Sequence, residues 1–175
     1  MGILDHEKLK PKKVSFGIVV VSDSVYEGKR KDVSGAKARE IIESEGHDVT
    51  AFKIIPNSKE MILNTLDELE GTADFLIFIG GTGVGPNDIT VDTISEVSEK
   101  YVPGFGELFR YETYKKHGPV AILSRAGMWI YRGTVVAVTP GSPDAVETAL
   151  KLIIPVAPHL VMEAKGLRHG LRKGV

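Results

Sequence analysis

The feature that most constrains the fold is an unbroken apolar run at residues 75–79, Phe-Leu-Ile-Phe-Ile, which ends in a glycine-rich loop. Five consecutive large apolar residues bounded by glycine are typical of a strand buried on both faces, as in a parallel sheet covered by helices. The loop leaves the carboxyl end of this strand, which is where open α/β sheets bind ligands. The sequence therefore predicts an α/β fold with a ligand site at the loop.

This segment, residues 80–88 and hereafter the Gly-rich loop, has the chemistry of an anion site. Its four glycines leave no Cβ atom to hold an anion away from backbone N–H groups. They are Gly80, Gly81, Gly83 and Gly85. Thr82 adds a hydroxyl, and Asp88 supplies a carboxylate suited to Mg²⁺ or to orienting a polar ligand. A tight turn without a ligand is the alternative at this point.

Several common enzyme classes are disfavoured by missing motifs. The Gly-rich loop lacks the Lys-Ser/Thr end of a Walker loop, and no third glycine falls at the spacing of a dinucleotide fold. The five histidines are scattered, and the chain contains no Gly-x-Ser-x-Gly sequence. These patterns disfavour P-loop NTPases, dehydrogenases, zinc hydrolases and serine hydrolases of the α/β type.

Composition indicates one globular domain with no preference for nucleic acid or membranes. The 175 residues are 42% hydrophobic and 26% charged, with a net charge of −1 and no cysteine. No apolar stretch approaches the ~20 residues of a membrane span, and the polar N-terminus is unlike a signal peptide. We expect a cytoplasmic protein with a flexible arm (residues 1–13), one domain (residues 14–164) and a basic tail (residues 165–175).

Strand and helix patterns alternate along most of the chain, which predicts right-handed crossovers on a parallel sheet. The predicted strands are residues 14–21, 49–55, 75–79, 120–124 and 135–139. The connection between the last two is short and has no helical pattern. We therefore expect this pair to be antiparallel or offset and the sheet to be mixed.

Helix starts are predicted from capping residues. Asp32 or Ser34 can cap the helix that follows the first strand. Asn57 and Glu60 stand in the N-cap and N3 relation before the second helix. Ser142 is predicted at the N-cap of the last helical region, with Pro143 at N1.

Five polar loops are expected to meet at the carboxyl edge of the sheet. They are residues 22–24, 56–57, 82–88, 124–125 and 140–142. Converging N–H donors, hydroxyls and one or two carboxylates suit a ligand rich in phosphate and hydrogen-bonding groups. The basic run from Lys29 to Lys31 is interpreted as a solvated loop rather than a phosphate clamp.

Six ordered motifs carry a resemblance to a known family. They are Val21-Ser-Asp-Ser24, Asp32-x-Ser34-Gly35, Gly80-Gly-Thr-Gly83 followed by Asp88-x-Thr90, Pro103-Gly104, Leu123-Ser-Arg125 and Pro140-Gly-Ser-Pro143. Together they resemble the molybdenum-cofactor biosynthesis family that contains MoaB, MogA and the G domain of gephyrin. In length and layout the chain is most similar to the MoaB members.

The resemblance implies a three-layer α/β/α sandwich whose mostly parallel sheet has one antiparallel edge strand. It also implies binding of molybdopterin and a nucleotidyltransferase activity that uses ATP and Mg²⁺ to adenylylate it, releasing pyrophosphate. The implied partners are molybdopterin, ATP, further copies of the chain in a trimer or hexamer, and other cofactor-biosynthesis proteins. An apolar stretch at residues 128–131 also suggests a subunit contact.

The resemblance assigns roles to individual residues. Asp88 holds Mg²⁺ or orients the reacting phosphate, and Asn57 is the second catalytic candidate. The candidate substrate- and nucleotide-binding residues are Ser22, Asp23, Ser24, Ser34, Gly80, Gly81, Thr82, Gly83, Thr90, Ser124, Arg125, Pro140, Gly141 and Ser142. Within this set the glycine amides cradle phosphate, while Ser124 and the 140–142 turn contact the pterin or its phosphate. Trp129 and Tyr131 are expected in the core or at a subunit contact rather than stacked on a ring.

Two positions depart from the family pattern. Asn57 stands where active members carry an acidic residue, and Asn87 stands where the family often has a basic one. Asparagine can coordinate through its amide oxygen but adds no charge. The alternatives are therefore a molybdopterin-binding homologue with little or no adenylyltransferase activity, or an oligomeric scaffold like the gephyrin domain.

Overall fold

The computed structural model describes residues 13–166 and has six strands and seven α-helices in that range. The strands are β1 (Ser15–Val21), β2 (Asp48–Ile55), β3 (Phe75–Ile79), β4 (Lys100–Tyr101), β5 (Gly127–Tyr131) and β6 (Thr134–Thr139). The helices are α1 (Asp23–Tyr26), α2 (Ser34–Ser44), α3 (Lys59–Leu69), α4 (Thr90–Val97), α5 (Pro103–His117), α6 (Pro143–Ile153) and α7 (Ala157–Ala164). Nearly all of the predicted arm and tail lies outside the described residues, so the domain bounds stay predictions.

The strands form one mixed sheet in the order β2-β1-β3-β6-β5-β4. Strands β2, β1, β3 and β6 are parallel, β5 runs antiparallel to β6, and β4 pairs antiparallel with β5. The predicted mostly parallel sheet with an antiparallel edge is therefore confirmed. The crossover helices α2 and α3 lie between parallel strands, as the alternating sequence pattern predicts.

Strand β3 is buried on both faces, which confirms the interpretation of its apolar run. Phe75, Ile77 and Ile79 belong to a hydrophobic cluster that also contains residues of α2, α5, α6 and α7. Leu76 and Phe78 point into a second cluster with residues of α3 and α4. Since alternate side chains of one strand enter both clusters, helices cover the sheet on its two sides and the fold has three layers.

The predicted strand at residues 120–124 is wrong, because Gly118–Leu123 forms a 3₁₀ helix. Val120, Ile122 and Leu123 are exposed, Ile122 by 79%, and only Ala121 of this helix is buried. The antiparallel partner of β6 is instead β5, which lies in the segment interpreted as a plain connection. Arg132 and Gly133 join the two strands with φ of 46° and 79°. Two successive residues with positive φ are the geometry of a tight two-residue hairpin turn.

The apolar stretch expected at a subunit surface contributes to the core instead. Met128 and Tyr131 are buried, and Trp129 packs with its ring centroid 5.4 Å from that of Tyr101. The Tyr131 hydroxyl donates a hydrogen bond to Asp67 at 2.5 Å. The core interpretation of Trp129 and Tyr131 is thus confirmed, and this stretch gives no support to self-association.

Within residues 13–166, no single helix has both the length and the apolar character that a membrane span requires. Helices α6 and α7 reach that length and apolar character only when they are counted together, and they are bent by 69° relative to each other.

Candidate active site

A cleft of about 730 Å³ opens where the parallel strands end, at the loops that follow β1, β3 and β6. The Gly-rich loop contributes Gly80, Gly81, Asn87 and Asp88 to its lining. The wall also contains residues 30–34, residues 141–143, Ser22 and Asn57. The strand order explains this convergence, because β1, β3 and β6 are adjacent and parallel and their carboxyl ends meet at one edge.

The first two glycines of the loop are required by the backbone itself. Gly80 has φ of 115°, and a Cβ atom there would lie 2.3 Å from the Val21 carbonyl oxygen. Gly81 has φ of 71°, and its Cβ would lie 2.1 Å from the Thr90 hydroxyl. Any side chain at either position would therefore force the loop to move, in addition to filling the cleft.

Asp88 lies at the end of the loop with its carboxylate folded back over it. Its Oδ2 atom accepts a hydrogen bond from the Gly85 N–H at 3.0 Å. A Cβ at Gly83 would come within 2.6 Å of the same oxygen. The glycine spacing thus makes room for the Asp88 carboxylate, which is partly buried and lines the cleft.

Asn57 also lines the cleft, but it does not cap α3. Ser58 is the N-cap and accepts a hydrogen bond from the Met61 N–H at 3.3 Å, so the predicted cap is one residue out. Asn57 is held by Asp23, whose carboxylate accepts the Asn57 backbone N–H at 2.8 Å and its Nδ2 at 3.2 Å. The amide side chain is therefore partly committed to a neighbouring carboxylate.

The 140–142 turn is fastened to the start of α2. The Ser34 hydroxyl, nearly buried, donates to the Gly141 carbonyl oxygen at 2.6 Å. Ser142 caps α6 as predicted, since its Oγ accepts the Ala145 N–H at 3.2 Å. Asp32 is the acceptor at the start of α2, taking the Gly35 N–H at 2.8 Å.

The remaining candidate hydroxyls lie behind the cleft surface. Thr82 and Thr90 are buried, and Ser24 shares a 3.2 Å hydrogen bond with Ser22 without lining the cleft. The Thr90 Oγ1 atom has no hydrogen-bond partner among the described residues, although it is fully buried beneath Gly81. A buried hydroxyl without a partner costs free energy, so Thr90 is under-satisfied in this arrangement.

Ser124 and Arg125 do not line the cleft but a second hollow of about 490 Å³. The Arg125 side chain is directed at the Gly-rich loop and α4, where it binds Gly83, Asp88 and Asp92. Its hydrogen bond to Asp92 lowers the pKa of that carboxyl group and raises the pKa of the Arg125 guanidinium. Direct contact of Arg125 with a ligand in the cleft is not supported by this placement.

Arg30 and Lys31 line the cleft and were missed as site residues, because the basic run was interpreted as a solvated loop. Lys29 pairs with Glu27 at 2.5 Å, whereas neither Arg30 nor Lys31 forms an ion pair within residues 13–166. Their position directly before the Asp32-x-Ser34-Gly35 motif is the sequence signal that links them to the cleft.

The cleft supplies few protein ligands for a metal ion. Across the described part of the chain, no group of three or more His, Cys, Asp or Glu side chains could hold one. Asp32 and Asp88 are the carboxylates that line the cleft, and each accepts one backbone N–H. One or two hard oxygen donors fit a Mg²⁺ ion that takes its other ligands from phosphate and water.

Comparison with known proteins agrees with this geometry. Residues 17–159 match a family described as a probable molybdopterin binding domain. The chain is 35% identical over 170 residues to a molybdopterin adenylyltransferase of Pyrococcus furiosus, covering 94% of this chain and 99% of that protein. It is 36% identical over 168 residues to molybdenum cofactor biosynthesis protein B of Halalkalibacterium halodurans, with 93% and 97% coverage.

A solved structure shows the same architecture. The tungsten cofactor synthesizing protein MoaB from Pyrococcus furiosus aligns with a TM-score of 0.83 and 36% identity, over 89% of this chain and 99% of that one. The family match spans most of the chain and includes every strand of the sheet except the first two residues of β1. The chain therefore belongs to the MoaB/MogA family of molybdopterin-binding proteins.

Proposed function

We propose that this protein is a molybdopterin adenylyltransferase acting in molybdenum or tungsten cofactor biosynthesis. The observation that carries the proposal is the cleft that joins the Gly-rich loop, Asp88 and the 140–142 turn at one sheet edge. It is supported by matches in Pyrococcus furiosus to a protein named a molybdopterin adenylyltransferase and to a solved structure named a tungsten cofactor synthesizing protein. The cytoplasm is the proposed compartment, because ATP is available there.

The reaction exchanges one phosphoanhydride bond for another. A terminal phosphate oxygen of molybdopterin attacks the α-phosphorus of ATP, the bond from that phosphorus to the β-phosphate oxygen breaks, and pyrophosphate leaves. Such a transfer needs alignment of two anions and neutralisation of their charge more than covalent chemistry by the protein. A cleft lined by the glycine backbone, the two cations Arg30 and Lys31 and the two carboxylates Asp32 and Asp88 is suited to that work.

The described residues divide these tasks. Gly80 and Gly81 line the cleft without side chains. The Gly80 N–H already donates to the Thr139 carbonyl oxygen at 2.8 Å, so the Gly81 backbone is the part of the loop that receives phosphate oxygens. Arg30 and Lys31 line the cleft, form no ion pair among residues 13–166, and offset the charge of the two substrates. Asp88 would hold Mg²⁺, which when bound supplies charge neutralisation at the phosphates.

The second candidate function is that of a molybdopterin-binding protein without adenylyltransferase activity. Asn57 favours this candidate, because its neutral amide donates a hydrogen bond to Asp23. An acidic residue at this position would add a carboxylate to the site, and Asn57 does not. One protein carboxylate is sufficient for Mg²⁺ when the ligand supplies triphosphate oxygens, so we prefer the enzyme.

Self-association as a trimer or hexamer is part of the proposal. Its support comes from exposed apolar side chains on α5 and the following 3₁₀ helix: Leu108, Tyr111, Tyr114, Val120, Ile122 and Leu123. A surface of this kind is typical of a protein contact. Light scattering coupled to size-exclusion chromatography at low micromolar concentration measures the mass directly, and a monomer mass would remove the idea. A scaffold role requires an oligomer but no binding of ATP.

Occupancy of the cleft is tested by filling it. Gly141 lines the cleft without a positive φ, and a Cβ there meets only the Gly80 Cα at 3.7 Å. Gly141→Val should therefore fold normally and weaken binding of molybdopterin and MgATP about 10-fold or more in calorimetry. Gly104→Val is the control, because a Cβ at Gly104 has no neighbour within 4 Å and this residue lies outside the cleft. Equal affinities for wild type and Gly141→Val would refute binding in this cleft.

A further inference from the structure

Arg125 forms three hydrogen bonds to the Gly-rich loop and a fourth to the helix that follows it. Its backbone N–H donates to the Thr82 carbonyl oxygen at 2.9 Å, and its Nε donates to the Gly83 carbonyl oxygen at 2.9 Å. Nη2 donates to the Asp88 carbonyl oxygen at 2.6 Å, and Nη1 donates to the Asp92 carboxylate at 2.7 Å. One residue thus joins the start of the loop, its end and the first turn of α4.

Arg125 is itself fixed from behind by α5. The Arg110 Nη1 atom donates to the Ala126 carbonyl oxygen at 3.0 Å and to the Ser124 carbonyl oxygen at 3.4 Å, the residues on either side of Arg125. Helix α5 approaches closely here, since a Cβ at Gly106 would lie 2.7 Å from the Ala126 oxygen. Arg125 therefore links helix α5 to the Gly-rich loop.

The residue held most completely is Asp88. Its carbonyl group is fixed by Arg125 and its carboxylate by the Gly85 N–H. Residues 84–87 are exposed, and the hydrogen bonds that hold them lie within the loop, such as that from the Asp88 N–H to the Gly85 carbonyl oxygen at 3.1 Å. The guanidinium fork of Arg125 matches two carbonyl acceptors of the loop, at Gly83 and Asp88, which is a geometry that lysine cannot reproduce. The third loop carbonyl, at Thr82, accepts the Arg125 backbone N–H.

We propose that Arg125 is a positioning residue that sets Asp88 and the Gly-rich loop in the arrangement required by the cleft, without touching the ligand. It lines the second hollow and not the cleft, while Asp88 lines the cleft. The link to catalysis rests on the proposed function, whereas the restraint of the loop does not.

The ion pair with Asp92 contributes less than the carbonyl contacts. The side chains of Arg125 and Asp92 are 34% and 62% exposed, and exposed pairs are weak. Asp92→Asn keeps the contacts of Arg125 with Gly83 and Asp88, so it separates the ion pair from the restraint of the loop.

The restraint is tested without any ligand by hydrogen exchange of peptides spanning residues 80–90. Arg125→Ala should speed exchange in this segment about 10-fold, and Arg125→Lys should give only partial protection. Asp92→Asn should stay close to wild type. Arg132→Ala is the matched control, because Arg132 also forms exposed ion pairs, with Asp67 and Glu70, but does not contact the loop. Unchanged exchange in Arg125→Ala, or an equal effect of Asp92→Asn, would overturn the proposal.

The consequence for function is measured on the same proteins. Arg125→Ala should lower kcat for pyrophosphate release about 10-fold or more and weaken MgATP binding less, because a displaced carboxylate impairs alignment more than capture. Faster loop exchange with unchanged turnover would show that Arg125 is only structural and would refute a positioning role. If wild type itself neither binds nor reacts, the proposed function fails, and hydrogen exchange still decides whether Arg125 restrains the loop.

Discussion

Replacing Asn57 by aspartate exchanges an attractive contact for a repulsive one. The Asn57 Nδ2 atom lies 3.2 Å from an oxygen of the Asp23 carboxylate, so the variant places two carboxylates at about that separation. The lost hydrogen bond is worth about 1 kcal/mol, and repulsion of two charges in a water-like medium adds about 1 kcal/mol. A loss of about 2 kcal/mol corresponds to a fall of about 4 to 8 °C in Tm for a chain of this size.

Two further measurements separate the terms. Asn57→Ala loses the hydrogen bond without adding charge, so its Tm in EDTA should fall about half as far as that of Asn57→Asp. About 5 mM Mg²⁺ should raise the Tm of Asn57→Asp but not that of wild type or Asn57→Ala, because only this variant has a second carboxylate beside Asp23 with which to bind a cation. If Asn57→Asp has the Tm of Asn57→Ala in EDTA and does not respond to Mg²⁺, the contact with Asp23 has been assigned wrongly.

Two other predictions concern pH and salt. Burial lowers the pKa of His47, and this effect is larger than that of Glu45 and Asp48, which raise the pKa. The neutral ring accepts a hydrogen bond from the Val14 N–H at 3.3 Å. Because the folded pKa lies below the unfolded value of about 6.5, Tm should be highest above that pH and fall as the pH decreases through it, and His47→Gln should flatten this profile. Arg30→Gln and Lys31→Gln should each weaken MgATP binding and make it less dependent on salt between about 50 and 200 mM. Lys29→Gln is the control and should change neither the affinity nor its salt dependence. Equal salt dependence in all three variants would exclude an electrostatic role for Arg30 and Lys31.

The parts of the fold that follow local rules were predictable from sequence. The doubly buried run at 75–79 and the alternation of strands with amphipathic helices fix four parallel strands to within one residue at each end. The hairpin was missed because Val120 and Ile122 look like strand residues while being exposed in a 3₁₀ helix. The Arg132-Gly133 turn was the sequence signal for the hairpin. The apolar residues at 120–124 were chosen as the strand instead, because they form a clearer strand pattern than the two turn residues.

The candidate site shows the same division between local and long-range information. Gly80, Asp88 and Gly141 meet because each follows a strand of one parallel set, and strand ends are readable in sequence. The partner of a polar side chain is not readable in that way. Arg125 reaches Asp88 and Asn57 reaches Asp23 across tens of residues, so sequence could identify these residues as important without showing what they bind.

Pyrophosphate release from ATP in the presence of molybdopterin is the measurement that tests the central claim most directly. Wild type with Mg²⁺ should form adenylylated molybdopterin and one pyrophosphate per product. Asp88→Asn keeps an acceptor for the Gly85 N–H but loses the charge, and should lower turnover about 100-fold or more. Asp48→Asn is the control, because Asp48 pairs with Lys13 at the opposite edge of the sheet. Tight molybdopterin binding by wild type with no pyrophosphate above background, whatever the divalent metal, would contradict the enzyme assignment.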